Sequence, residues 1–120
     1  MLQTIYHITS RAAWEQAQKA GEYRAESLDS QGFIHLSQAH QVLGVLKAFY
    51  ADQFGLVVLV VEVNRLKTGL KLEPPVHPKP GASLPPENEL FPHLYGPLNL
   101  DAVMRVVDVP HNPDLLTLKP

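Results

Sequence analysis

Leu56-Val57-Val58-Leu59-Val60-Val61-Glu62-Val63 is the strongest strand signal in the chain. Branched side chains crowd a helical turn but fit a pleated surface. The run shows no apolar/polar alternation, which predicts a central strand buried on both faces. Upstream, Val42, Val45, Leu46 and Phe49 recur at i, i+3, i+4 and i+7, so Gln38 to Tyr50 reads as an amphipathic helix with Ser37 at its N-cap. Phe33 to Leu36 is a short strand before it. Glu22 to Gln31 is polar and reads as a connection, with an extended piece around Tyr23.

At the N-terminus, Leu2 to Ile8 reads as a first strand. Thr9 or Ser10 then caps a helix from Arg11 to about Ala20, with Trp14, Ala17 and Ala20 on one stripe and Gly21 as its stop. Downstream of the central run, Leu70 to Glu73 is a short strand and Val103 to Val109 a final one. Between them, Pro74 to Pro86 holds six prolines in thirteen residues, which rules out regular structure and predicts a long loop. This order is not a clean βαβ alternation. It predicts an α+β fold: a small mixed or antiparallel sheet with two helices, one domain over residues 1–109, and a proline-broken surface tail over 110–120.

With 120 residues, 45% of them hydrophobic, the chain can bury a real core. A net charge of −2 lacks the basic footprint of a nucleic-acid wrapper but leaves room for a local pocket for a phosphorylated small molecule. The absence of cysteine excludes disulfides and thiolate chemistry and fits a reducing cytoplasm. The N-terminus has no signal-peptide pattern, and the run from Leu56 to Val61 is too short to span a bilayer.

Three segments each set one histidine in an apolar context: Ile5-Tyr6-His7-Ile8-Thr9, Gly32-Phe33-Ile34-His35-Leu36-Ser37 and Phe91-Pro92-His93-Leu94-Tyr95-Gly96-Pro97-Leu98. A buried histidine is costly unless its ring nitrogens are paired, so three such placements predict a shared polar cleft. His7 and His35 both come just before an expected helix N-terminus, where anionic groups are favoured; a phosphate-bearing ligand is the natural expectation. The prolines and Gly96 around His93 and Tyr95 suit two polar rings held at set angles. Glu73 is a strand-end acid able to orient a ribose hydroxyl or face a developing cation. Arg11 is close in sequence to His7 and could pair with a phosphate. A three-histidine metal site for a hydrolase is the competing expectation, although only His35 and His40 have a ligand-like spacing.

These three blocks, in this order, resemble the DUF952 family of small bacterial proteins. Through it the chain is similar to the ADP-ribosyltransferase-like fold of NAD-dependent RNA 2'-phosphotransferases. In the blocks, His7 and Thr9 match a Tyr-His-Gly-Thr-like strand, and His35, Leu36 and Ser37 match a Val-His-Leu-Ser-like motif. The resemblance implies NAD or an ADP-ribose-type nucleotide as ligand, with ADP-ribosyl or phosphoryl transfer as its reaction. It implies that His7 holds the ribose or adenosine portion of the nucleotide and that His35 lies near its nicotinamide or phosphate portion. Taken with the residue reading above, nucleotide binding is expected of His7, Thr9, Ser37, Tyr95 and Arg11, and catalysis of His35, His93 and, by position only, Glu73. The chain departs from the phosphotransferases in having four arginines, none in an equivalent placement. A module that binds the nucleotide without turning it over remains the alternative.

Overall fold

The computed structural model describes residues 2–74 and 89–118. Its centre is strand β4 (Leu56–Glu62), paired antiparallel on one side with β1 (Thr4–Ser10) and on the other with β8 (Val103–Asp108). Every residue from Leu56 to Val61 is buried, which is the two-faced burial that the unalternating run predicts. Val57, Leu59 and Val61 join Ile5 and, from helix α1 (Arg11–Ala20), Trp14 and Ala17 in one core layer. Leu56, Val58 and Val60 join Tyr6, Ile8 and, from helix α3 (Val42–Phe49), Val42 and Leu46 in the other. Each such side chain contributes about 1.5–3 kcal/mol on burial, so β4 anchors both layers.

Helix α1 has the expected bounds. The Ser10 hydroxyl accepts the Ala13 N–H at 3.0 Å, and Gly21, at φ 90°, closes the last turn onto Ala17 O. A second antiparallel sheet holds β3 (Ile34–His35), β6 (Phe91–Tyr95) and β5 (Gly69–Glu73), with β6 central and His35 directly opposite His93. A two-stranded ribbon pairs β2 (Glu22–Tyr23) with β7 (Leu98–Asn99). Tyr6 and Ser37 join the two larger sheets through reciprocal backbone bonds of 2.9 and 2.7 Å. The architecture is α+β with antiparallel sheets throughout the described residues. No helix among the described residues is long and apolar enough to cross a membrane.

Two expectations change, and one strand was not foreseen. Ser37 is not an N-cap, because its backbone is committed to Tyr6. Gln38 instead opens a single 3-10 turn, Ala39–Gln41, whose Gln41 side chain accepts the Gln38 N–H at 2.8 Å before α3 begins. A third helix, α2 (Glu26–Gln31), sits in the polar connection; it buries no residue and so leaves no apolar period to read. Finally, Phe91–Tyr95 is a regular strand despite Pro92. Leu36 still donates to Pro92 O at 2.9 Å, and the proline ring removes only the reciprocal bond, which ends the β3 ladder there. Of the expected Pro74–Pro86 loop, all but Pro74 lies outside the described residues. In the tail, Leu116 and Leu118 pack against the α3 layer, and Arg105 donates to Leu118 O at 2.7 Å.

Candidate functional site

Alternation along β1 puts Ile5, His7 and Thr9 on one face. There the His7 ring meets two partners. Its Nδ1 lies 2.6 Å from the His35 carbonyl oxygen and its Nε2 lies 2.8 Å from the Tyr23 hydroxyl, which is itself 2.9 Å from Thr9 Oγ1. A carbonyl only accepts, so Nδ1 carries a proton. Burial lowers the His7 pKa from 6.5 to about 4, outweighing the favourable His35 bond, so the ring is neutral near pH 7. Nε2 is then an acceptor. The Tyr23 O–H donates to it, and the Thr9 hydroxyl donates to the Tyr23 oxygen. Burial in turn pushes the Tyr23 phenol up. Thr9, Tyr23, His7 and the His35 carbonyl thus form one buried chain with every link made.

The second cluster lies on the face of the β3–β6–β5 sheet turned away from the core that Ile34, Leu94 and Leu70 enter. Alternation places Phe33 and His35, then Phe91, His93 and Tyr95, then Lys71 and Glu73 on that face. His93, only 2% exposed, donates from Nδ1 to Glu73 Oε1 at 2.9 Å, and the Tyr95 hydroxyl donates to the same oxygen. The Phe33 ring stacks on His93 with centroids 4.2 Å apart and 23° between planes, and His35 meets His93 edge-on at 5.4 Å. Lys71 Nζ sits 5.0 Å from the Tyr95 ring centre. The Tyr95 bond, followed by the His93 bond, holds the Glu73 carboxyl below its ordinary range, and that same carboxylate pushes the Tyr95 phenol up. The result is a fixed, ionised carboxylate among aromatic rings at a strand end.

One cleft lined by three histidines is therefore not what forms. His35 and His93 share an outer sheet face, while His7 lies beneath and bonds to the backbone carbonyl of His35. Thr9 is buried in the His7 chain. Ser37 is buried in the bridge to Tyr6. Arg11 is not part of either cluster; it pairs with Asp108 at the β8 edge. Among the described residues no three His, Cys, Asp or Glu side chains are arranged to hold a metal ion, and both His7 nitrogens are already engaged. Cavities of about 470 and 160 Å³ lie elsewhere, along α3 and the C-terminal segment. Tyr23, Phe33 and Lys71 are the members that the sequence reading left out. The period-2 spacing of Phe91, His93 and Tyr95 beside that of Lys71 and Glu73 is the signal that could have placed Lys71.

With this geometry in place, comparison with known proteins locates the chain. It is similar to protein CC0527 from Caulobacter crescentus, whose crystal structure is 33% identical with a TM-score of 0.74 over 89% of this chain and 86% of that one. The solution NMR structure of CC0527 is 32% identical with a TM-score of 0.72 over 94% of this chain and 90% of that one. No curated protein matches the chain. The model of the protein of unknown function DUF952 matches residues 8–106, from within β1 to within β8, and the chain belongs to the DUF952 family.

Proposed function

We propose that the Glu73–His93–Tyr95 cluster is a ligand site and that its ligand is a nucleotide of NAD or ADP-ribose type. The observation that carries the reading is the division of labour on one carboxylate. Oε1 of Glu73 takes bonds from His93 and Tyr95, while Oε2 has no partner among the described residues. A carboxylate anchored at one oxygen and open at the other is suited to a ribose whose anomeric carbon gains positive charge as its bond to nicotinamide breaks. Phe33 and Tyr95 offer aromatic faces for a flat ring, and Lys71 offers a cation for a phosphate.

ADP-ribosyl transfer fits this better than phosphoryl transfer, which needs cations around the moving group. The arginines are engaged elsewhere: Arg11 with Asp108, Arg24 with Asp29, Arg65 with Glu62, and Arg105 with Leu118 O. An ADP-ribosyltransferase-like fold and a reducing, cytoplasmic setting belong to the same proposal. In it, His35 and His93 frame the ligand, while His7 and Thr9 act one layer below as positioning residues.

Calorimetric titration with NAD and with ADP-ribose tests the reading. Saturable heat for either nucleotide, weakened at least about tenfold in Glu73→Gln, is expected, because a neutral amide loses the charge but keeps the shape. Absence of heat in the unmodified protein, or undiminished affinity in Glu73→Gln, would contradict it.

A further inference from the structure

We infer that the acceptor of the transfer is a hydroxyl, water or an alcohol, and that His93 is the base that removes its proton. The inference rests on the ligand reading above and specifies the other half of the reaction.

Glu73 fixes which nitrogen of His93 carries the proton. A carboxylate accepts and never donates, so the 2.9 Å contact with Oε1 requires the proton to sit on His93 Nδ1. In the neutral ring the lone pair is then on Nε2, which makes no hydrogen bond to the side chain of Glu73, the partner of Nδ1. A histidine oriented by a carboxylate through one nitrogen, with the other nitrogen basic, is the arrangement that removes a proton from an attacking oxygen. Here the ring is also fixed in plane by Phe33 stacked at 4.2 Å and by the His35 edge at 5.4 Å. Little reorganisation is needed at the moment of proton transfer.

The same charges select the acceptor. A carboxylate acceptor has no proton to give and would bring a second negative charge beside Glu73. A guanidinium acceptor holds its proton with a pKa above about 12, far from the range of an imidazole. A hydroxyl is neutral before reaction and becomes acidic as its oxygen bonds to carbon, which is when a base helps most. In the step, an acceptor oxygen lone pair forms the bond to the anomeric carbon of the nicotinamide ribose. The carbon–nitrogen bond breaks, and its electron pair leaves with neutral nicotinamide. The acceptor proton passes to His93 Nε2, and Glu73 stabilises the resulting imidazolium. Among the described residues, the charged or titratable groups facing His93 are Glu73 and Lys71 from β5, Tyr95 from β6 and His35 from β3.

Nicotinamide release from NAD, followed with and without methanol, is the test. The unmodified protein is expected to release nicotinamide in water and to divert product to the methyl riboside when methanol is present. His93→Gln should lower release at least about 100-fold, well beyond whatever ADP-ribose affinity calorimetry shows it to lose. Full release in His93→Gln would overturn the inference without touching the ligand reading. So would a protein that binds NAD but releases no nicotinamide in either solvent. A protein that binds neither nucleotide would overturn both, and calorimetry separates that outcome from the others.

Discussion

His7 donates from Nδ1 to the carbonyl oxygen of His35 at 2.6 Å, tying the first strand of one sheet to the short strand that carries Phe33 and His35 toward His93. β3 has only two residues, too few rungs to fix its own position. The bond from His7 and the Tyr6–Ser37 bridge do that work. The outer face that holds Glu73, His93 and Tyr95 is thus set in part from beneath, by a histidine that never reaches it.

Acid should loosen the fold through His7. Its pKa is 6.5 in the unfolded chain and about 4 when folded, so between those values the unfolded chain binds more protons. Stability therefore rises with pH across this window and is lost on acidification. The gap, at about 1.4 kcal/mol per pH unit, makes about 3 kcal/mol at most. Glu73, whose folded pKa lies below the ordinary 4.5, adds its own loss only below that value. Urea unfolding at a series of pH values should show the decline beginning near 6.5, and His7→Gln should flatten it. An unchanged slope in that variant would remove His7 as the cause.

Tyr23→Phe should cost about 1–3 kcal/mol although it deletes a single oxygen, because His7 Nε2 and Thr9 Oγ1 both lose a buried partner. Thr9→Val added to Tyr23→Phe should cost less than Thr9→Val alone, since the partner has already gone. Equilibrium denaturation of the three variants checks the coupling; additive losses would show that the chain is not a unit.

Two glycines should respond in opposite directions. Gly96 follows Tyr95, and a Cβ there would sit 2.5 Å from Thr68 Cγ2, so Gly96→Ala should destabilise by about 1–3 kcal/mol. Gly44 lies exposed within α3 with nothing near a new Cβ, so Gly44→Ala should stabilise by about 0.5–1 kcal/mol. Thermal unfolding of the pair measures both, and a neutral Gly96→Ala would mean that the turn after β6 yields easily.

Phe33→Leu keeps an apolar side chain but removes the stacked ring at 4.2 Å from His93. An aromatic pair is worth about 0.5–1.5 kcal/mol beyond its burial, so ADP-ribose affinity should fall about two- to tenfold. Calorimetry on this variant checks it, and full affinity would take Phe33 out of the site.

Much of the framework was legible because burial leaves a pattern. The unalternating Leu56–Val61 run and the Ser10…Gly21 bracket around α1 state their structure locally. What was not legible depends on tertiary partners. α2 has no apolar stripe because it buries nothing, and Phe91–Tyr95 is a strand only because β3 and β5 flank it. The site divides the same way. The embedded histidines were visible as buried polar groups needing partners, but no spacing tells that His7 would find Tyr23 and a carbonyl while His93 would find Glu73. Arg11 was proximate in sequence to His7 yet pairs with Asp108 on β8, a partner 97 residues away that no local pattern announces.

Imidazole-detected NMR during an ADP-ribose titration reports each ring in the unmodified protein and so asks where the nucleotide sits. The His93 and His35 ring signals should move together and saturate, while His111, stacked on Phe54 5.9 Å away in a separate part of the fold, stays still. Unmoved His93 and His35 signals, or movement confined to His111, would contradict a ligand site at Glu73, His93 and Tyr95.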